Sequence, residues 1–205
     1  MFFLTKPKND QIDEFLKRRE SDKFSYPSVG ATREPAPPDG YNVDHNRQLL
    51  GHGKNDFEKA KAAIRNWKMF DVPGLRLYYP DTPIEPGRNV ALLAHHLGFW
   101  SLSSCRVVYV IEEENRFGFA YGTLAEHVES GEERFRVEFY PESGEVWYDI
   151  FAFSRPGHAL VWLGYPYGRF LQQRFAVGSK EAVLRYVRAK LLDNLSSQHT
   201  DQKSG

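Results

Sequence analysis

Four residues in one short stretch are of the types that acid–base chemistry uses: His127, Glu129, Glu132 and Glu133. They lie in segment 123–134, directly after Tyr121-Gly-Thr123. A carboxyl turned into an apolar pocket and paired with a base can orient a ligand or transfer a proton. The partners within the chain's repertoire are Arg106, His95 and His127. Two readings stay open. In one, the segment is a charged hairpin loop. In the other, a carboxylate faces inward, and His127, Glu132, Glu133 and Arg106 form the working set of a cyclase- or hydrolase-like enzyme.

Other chemistry is argued against by spacing. His95 and His96 are adjacent on an extended segment, so their side chains point to opposite faces and cannot share an ion. Asp44-His45 has the same defect, and no metal or cofactor is expected. Gly51-His-Gly53 precedes a helix, but the third glycine of a phosphate loop is missing. Asp56 stands at that spacing and puts negative charge where an anion would sit. No Gly-x-Ser-x-Gly elbow occurs, and Ser154-Arg155-Pro156 reads as a strand end that caps the following helix. Cys105, the single cysteine, lies in an apolar strand and reads as a small core residue.

These residues must be positioned by the stretch from Arg106 to Arg155, which reads as an antiparallel meander. Cys105, Val107, Tyr109 and Ile111 alternate with Arg106, Val108 and Val110, the period of a strand. Phe117, Phe119 and Tyr121 alternate with Gly118, Ala120 and Gly122, leaving one face aromatic and the other bare. A bare face admits a chain segment or a ligand at close range. Phe135, Val137 and Phe139 form a buried face opposite a wet face of Arg134, Arg136 and Glu138. After the turn at Pro141–Gly144, Val146, Tyr148 and Ile150 share one face, and Trp147, Phe151 and Phe153 the other.

Before the meander, residues 1–20 read as a short strand and a small helix capped by Asn9 or Asp10, and residues 21–40 as irregular chain rich in Pro. Tyr41–Leu50 is the first long strand. A helix capped by Asn55 and Glu58 then runs to about Phe70, burying Phe57, Ala60, Ile64 and Trp67. Leu75–Tyr79 is a strand, and Asn89–Trp100 a strand or bent hairpin arm. From about Gly157 to Leu192, apolar residues step by three or four: Leu160, Leu163, Tyr167, Leu171, Phe175, Gly178, Ala182, Tyr186 and Ala189. This is one kinked helix or two coaxial pieces, with Gly164, Gly168 and Gly178 allowing close approach. The expected organisation is an extension at 1–40, a domain at 41–192 and a polar, disordered tail at 193–205.

The chain of 205 residues carries 27 Lys plus Arg and 27 Asp plus Glu. That neutrality argues against general nucleic-acid or anionic-membrane binding. Charge is nevertheless uneven: residues 112–145 hold ten Glu against three Arg, and residues 157–192 hold six Lys or Arg against one Glu. The two regions complement one another, or the basic helix face meets an acidic partner. A single cysteine fits a reducing, cytoplasmic compartment, and no apolar run reaches the roughly eighteen residues of a membrane span.

Several motifs carry a resemblance. Phe2-Phe-Leu4, Tyr26-Pro with Gly30-Ala-Thr32, Leu50-Gly-His-Gly53, Trp67-Lys-Met-Phe70, Arg106-Val-Val-Tyr109, Phe117–Leu124, Gly131–Phe135 and Ala152–Pro156 resemble an uncharacterised family of bacteria and plants. That family is a domain of unknown function, and the resemblance spans about residues 1–188. Ser103-Ser104 departs from an Asn-containing pair in the family pattern. No activity is implied by the resemblance. The order of elements is also similar to the START-like, birch-pollen-allergen-like helix-grip superfamily. That likeness implies an α+β fold whose curved antiparallel sheet wraps a long C-terminal helix, often around an apolar ligand.

Three functions follow as expectations. The first is binding of a small apolar or amphipathic molecule in an internal cavity lined by Tyr109, Phe119, Tyr121, Phe135, Tyr148, Phe151, Leu171 and Phe175. The second is the enzyme described above. The third is an interaction module using the basic helix face.

Overall fold

The alternation of residues 106–155 forms the expected meander in a computed structural model. The structure describes residues 1–33, 38–125, 127–157 and 165–201, with side chains of the last segment described from 166 to 189. Its elements are β1 (Phe2–Phe3), α1 (Asn9–Arg18), β2 (Asn42–His52), α2 (Gly53–Arg65), β3 (Leu75–Tyr78), β4 (Asn89–His96), β5 (Phe99–Glu113), β6 (Arg116–Thr123), β7 (Glu129–Phe139), β8 (Glu145–Pro156) and α3 (Tyr165–Asp201). All strand pairs described are antiparallel, in the order β2-β8-β7-β6-β5-β4-β3, and β1 adds to β5.

Strands β3 to β8 are sequential neighbours, whereas β2 pairs with the last of them. The chain therefore leaves β2 at one edge and reaches β3 at the other by way of α2 and a 3-10 turn at Lys68–Phe70. This crossing lies on the inner face of the sheet, where α3 packs over it. The main core joins Phe57, Ala60, Ile64, Trp67 and Phe70 to Phe119, Phe135, Val137, Tyr148 and Ile150, with Val183 and Val187 of α3. The result is the expected α+β architecture, a curved antiparallel sheet gripping a C-terminal helix. On the outer face, Ile12 and Phe15 of α1 cover Ala91, Leu93 and Leu102.

Several local expectations are corrected. β5 is bulged between Val107 and Tyr109. A bulge adds one residue and reverses the phase of alternation, so Tyr109 lies on the outer face, opposite Cys105 and Val107. The outer face of β7 is not wet: Arg134 and Glu138 are buried. Residues 24–33 lie across part of it, joined by a bridge between Phe24 and Leu124. α2 begins at Gly53 rather than after Asn55. Asp56, not Glu58, reaches back, its Oδ2 accepting from His52 N at 3.1 Å, and Glu58 pairs with Lys61 instead. α2 closes at Arg65, before the 3-10 turn. In α1, Gln11 Oε1 takes the Lys8 N–H at 2.9 Å, so neither Asn9 nor Asp10 is the cap.

α3 starts at Tyr165, which places Pro166 in the first turn, where a missing N–H costs nothing. It is one helix, and it continues to Asp201 through most of the stretch expected as a tail. Gly178 faces Val72, whose Cγ1 would be 2.8 Å from an added Cβ, so close approach is the role of that glycine. The buried stripe runs through Ser179, Ala182, Val183 and Val187, and Ala189 is exposed. Leu160, Leu163 and Gly164 lie outside the described residues.

Candidate functional site

The two adjacent carboxylates Glu132 and Glu133 point to opposite faces of β7, as strand geometry requires. Their surroundings differ in kind. Glu132, only 2% exposed, faces outward beneath the N-terminal segment. Its Oε2 accepts from Tyr26 Oη and from Gly30 N, each at 2.7 Å. Its Oε1 accepts from Thr32 N at 3.0 Å and from the Thr32 hydroxyl. Four donors converge on one carboxylate, and all come from residues 26–32. Thr32 Oγ1 also meets Tyr109 Oη at 2.7 Å, and Arg134 Nη1 donates to Thr32 O at 2.6 Å. Tyr26 fits because Gly122 lies beneath it: a Cβ there would stand 2.0 Å from Tyr26 Oη. The bare face of β6 thus receives a chain segment.

Glu133 faces inward. Tyr121 Oη donates to its Oε2 at 2.8 Å across the β6–β7 pair. Burial raises its pKa to about 7, helped by Glu129 and Asp44 and opposed by the Tyr121 bond. Protein surrounds the side chain, yet part of its surface remains accessible. The ring of Phe70 is the hub of the adjacent aromatic group. It lies 5.9 Å from Tyr121, 5.6 Å from Phe135 and 5.6 Å from Phe175 between centroids. Phe119 joins at 5.5 Å from Phe135.

Polar groups continue from Glu133 towards the start of α3. Glu129 accepts from Gln172 Nε2, which also donates to Ser154 Oγ at 3.0 Å. Burial raises the pKa of Glu129, against the bonds of Ser154 and Gln172. Arg169 clasps Asp44 with both terminal nitrogens, at 2.5 and 2.7 Å. Ser154 therefore binds α3 from the side rather than capping its first turn.

The structure separates the expected catalytic set. Arg106 donates to Asn89 Oδ1 and to the carbonyls of Arg19, Glu20 and Asp22, which fixes the N-terminal segment and leaves it remote from Glu133. His127 Nδ1 accepts from Glu129 N at 3.0 Å, and burial lowers its pKa to about 4. His95 stacks on Trp100 at 4.4 Å. The expected lining set also divides. Phe119, Tyr121, Phe135, Tyr148 and Phe175 belong to the inner face, with Tyr148 Oη 2.9 Å from Ser179 Oγ, and Leu171 is half-buried on α3. Tyr109 lies outside under the Arg33 guanidinium, 3.9 Å from its ring centre, and Phe151 lies outside under Arg134 at 5.2 Å.

Sequence reasoning missed Phe70, Gln172 and the Asp44–Arg169 pair. Phe70 carried a signal as an apolar residue at the expected end of that helix; the long-range partners Gln172 and Asp44 carried none. It also missed Asp149, a buried carboxylate on the outer face that meets Arg134 Nη2 at 2.8 Å and His45 Nε2 at 2.6 Å. Although burial acts to raise it, those hydrogen bonds and the nearby guanidinium groups hold Asp149 below the usual carboxylate range. Among the described residues, no cluster of three metal-ligating side chains occurs, and no helix is long and apolar enough to cross a membrane.

Comparison with known proteins bears on the family. A UPF0548 protein of Dictyostelium discoideum is 35% identical over 207 residues, covering 91% of this chain and 96% of that one. A UPF0548 protein of Arabidopsis thaliana is 40% identical over 157 residues, covering 74% and 76%. Among solved structures, the crystal structure of Ara h 8.0201 is similar at a TM-score of 0.49 and 12% identity, over 73% of this chain and 99% of that one. That likeness adds nothing to the fold read from the strand order. The family model described as "Domain of unknown function (DUF1990)" matches residues 25–182. With most of its length matched by that model and by relatives at 35–40% identity, the chain belongs to the DUF1990 family.

Proposed function

We propose that the protein binds a small apolar or amphipathic molecule between the inner face of the sheet and α3, with Glu133 and Tyr121 as the polar anchor. The observation that carries this reading is Glu133 itself: a half-buried carboxyl beside the aromatic group of Phe70, Phe135 and Phe175, bonded to Tyr121. Burying a carboxyl costs stability, and the one bond from Tyr121 satisfies only part of its hydrogen-bonding capacity. Aromatic walls with a few convergent polar groups are the usual make-up of a small-molecule site. A ligand with a hydrogen-bonding head and an apolar body suits both parts.

Native mass spectrometry of freshly purified protein, with a denatured control, is the test. A bound mass that disappears on denaturation supports the reading. A clean apo mass from several expression hosts, together with no binding of an apolar fluorescent dye, overturns it.

One observation favours a second reading, acid–base catalysis on the bound molecule: a carboxyl with a pKa of about 7 can both give and take a proton near neutrality. Glu133→Gln separates the two. In a binding protein the loss falls on affinity for a ligand with a hydrogen-bonding head, whereas in an enzyme it falls on turnover.

A further inference from the structure

The β4–β5 hairpin ends in apolar side chains that stand in solvent. Leu97 is 72% exposed, and beside it Leu4 is 89%, Phe2 57% and Phe170 of α3 50% exposed. These residues come from three distant segments, which strand pairing and ring contacts bring to the hairpin end. Phe2 and Phe3 pair with Ser101 and Trp100, a register that brings Leu4 alongside Phe99 at the hairpin tip. Ring contacts continue from Phe2 to Phe99 at 5.7 Å and from Phe99 to His96 at 4.6 Å. They run on from His96 to Tyr167 at 5.9 Å and from Tyr167 to Phe170 at 6.3 Å.

Folding alone gives no reason for Leu97. It sits in the two-residue turn Leu97-Gly98 with φ of +50°, followed by Gly98 at +81°. Turns with two left-handed residues favour Asn-Gly, because asparagine tolerates this backbone and leucine does not. Leucine here adds both backbone strain and exposed apolar area. An exposed apolar patch kept at such a cost points to a contact outside the chain.

Charge selects the partner. Residues 1–8, 95–101 and 165–177 contain Lys6, Lys8, Arg169 and Arg174 and no Asp or Glu. Lys6, Lys8 and Arg174 are exposed, and Arg174 lies 5.9 Å from the ring centre of Phe170. Asp44 pairs with Arg169 and Asp10 stands in the first turn of α1, so carboxylates are present nearby, and the exposed basic residues beside the apolar ones are Lys6, Lys8 and Arg174. Apolar tips that enter the acyl boundary while Lys and Arg meet headgroups are the mode of a peripheral membrane contact.

We propose that this tip, formed by Phe2, Leu4, Leu97 and Phe170 with Lys6, Lys8 and Arg174, docks on the surface of an anionic lipid bilayer. Docking needs no occupied inner site, so the proposal stands or falls apart from the ligand reading above.

The test is flotation of the full chain with vesicles at low salt, made either of phosphatidylcholine alone or of phosphatidylcholine mixed with phosphatidylserine. The wild type floats with the anionic vesicles, floats less with the neutral ones, and is released by added salt. Leu97→Asn and Leu4→Gln each weaken binding about ten-fold, the loss expected for one leucine kept out of the acyl boundary. Because asparagine suits the turn, Leu97→Asn melts no lower than the wild type, which excludes unfolding as the cause. Two results overturn the proposal: no flotation with phosphatidylserine vesicles at low salt, or equal flotation of the wild type and a variant carrying both Leu97→Asn and Leu4→Gln. A wild-type dimer that Leu97→Asn dissociates, with vesicles ignored, makes the patch a contact between copies and also overturns it.

Discussion

Glu132 and Glu133 are neighbours in sequence with opposite tasks. Four donors hold Glu132 as an acceptor that ties residues 26–32 to the sheet. Glu132→Gln replaces one acceptor oxygen with an NH2 that faces a donor. We expect a loss of about 3 kcal/mol in urea denaturation, from donors left unsatisfied in a buried site. Glu133 is the reverse case. Its pKa is raised from 4.5 to about 7 by burial, so the folded protein holds this proton more tightly than the unfolded chain. The stability this confers is complete below pH 4.5 and is lost as pH rises through about 7. Glu133→Gln should therefore raise stability on the order of 2 kcal/mol at pH 8 and leave it unchanged at pH 4. Thermal unfolding across that range checks the sign. Equal effects at both pH values would show that Glu133 is not a titrating burial. His127 contributes the opposite slope: with its pKa lowered from 6.5 to about 4, its contribution is present above pH 6.5 and lost as pH falls through about 4.

At the scale of elements, close approach decides where segments lie. The glycine face of β6 lets Tyr26 reach Glu132, and Gly178 lets α3 reach Val72. Gly122→Ala puts a Cβ into the Tyr26 hydroxyl, which ends a rigid ring that cannot fold away. Destabilisation of about 2 kcal/mol is expected, the usual cost of overpacking. Tyr26→Phe should cost about 1–2 kcal/mol through the lost hydrogen bond. Because both changes act on one contact, the double variant should lose less than the sum of the two. Full additivity, measured in a denaturant double-mutant cycle, would mean that Tyr26 does not sit over Gly122. The same scale explains the phosphate-loop lookalike: Asp56 fills the start of α2, and a Cβ on Gly51 would stand 2.2 Å from its Oδ2.

For the molecule as a whole, the N-terminal segment belongs to the sheet's outer face. Arg106 holds three carbonyls of residues 19–22, Glu132 holds residues 26–32, and α1 buries Ile12 and Phe15. Without residues 1–33, Glu132 and Arg134 lose these partners, and Ala91, Leu93 and Leu102 lose the cover of α1. A chain starting after Arg33 should expose much more apolar surface, bind an apolar dye and lose its cooperative thermal transition. A truncated chain that melts as sharply as the full one would show that the domain stands without its extension.

The sequence by itself determined most of the strands and helices and which face of β6 and β7 enters the core, because alternation is written locally in residues 116–139. It also determined the family, through motifs such as Phe117–Leu124 and Gly131–Phe135. Charge hid the rest. Glu132, Glu133 and Arg134 look alike as surface residues, Asp149 stands out only as the polar exception on an apolar strand, and their partners alone separate them. Those partners lie far along the chain: Tyr26 and Thr32 for Glu132, Asp149 for Arg134, His45 for Asp149. The bulge in β5 likewise moved Tyr109 to the other face without any local mark. Tertiary structure decided which carboxylate is a structural acceptor and which an inward-facing acid with a raised pKa, because a pKa is set by burial and by neighbours that only folding brings together.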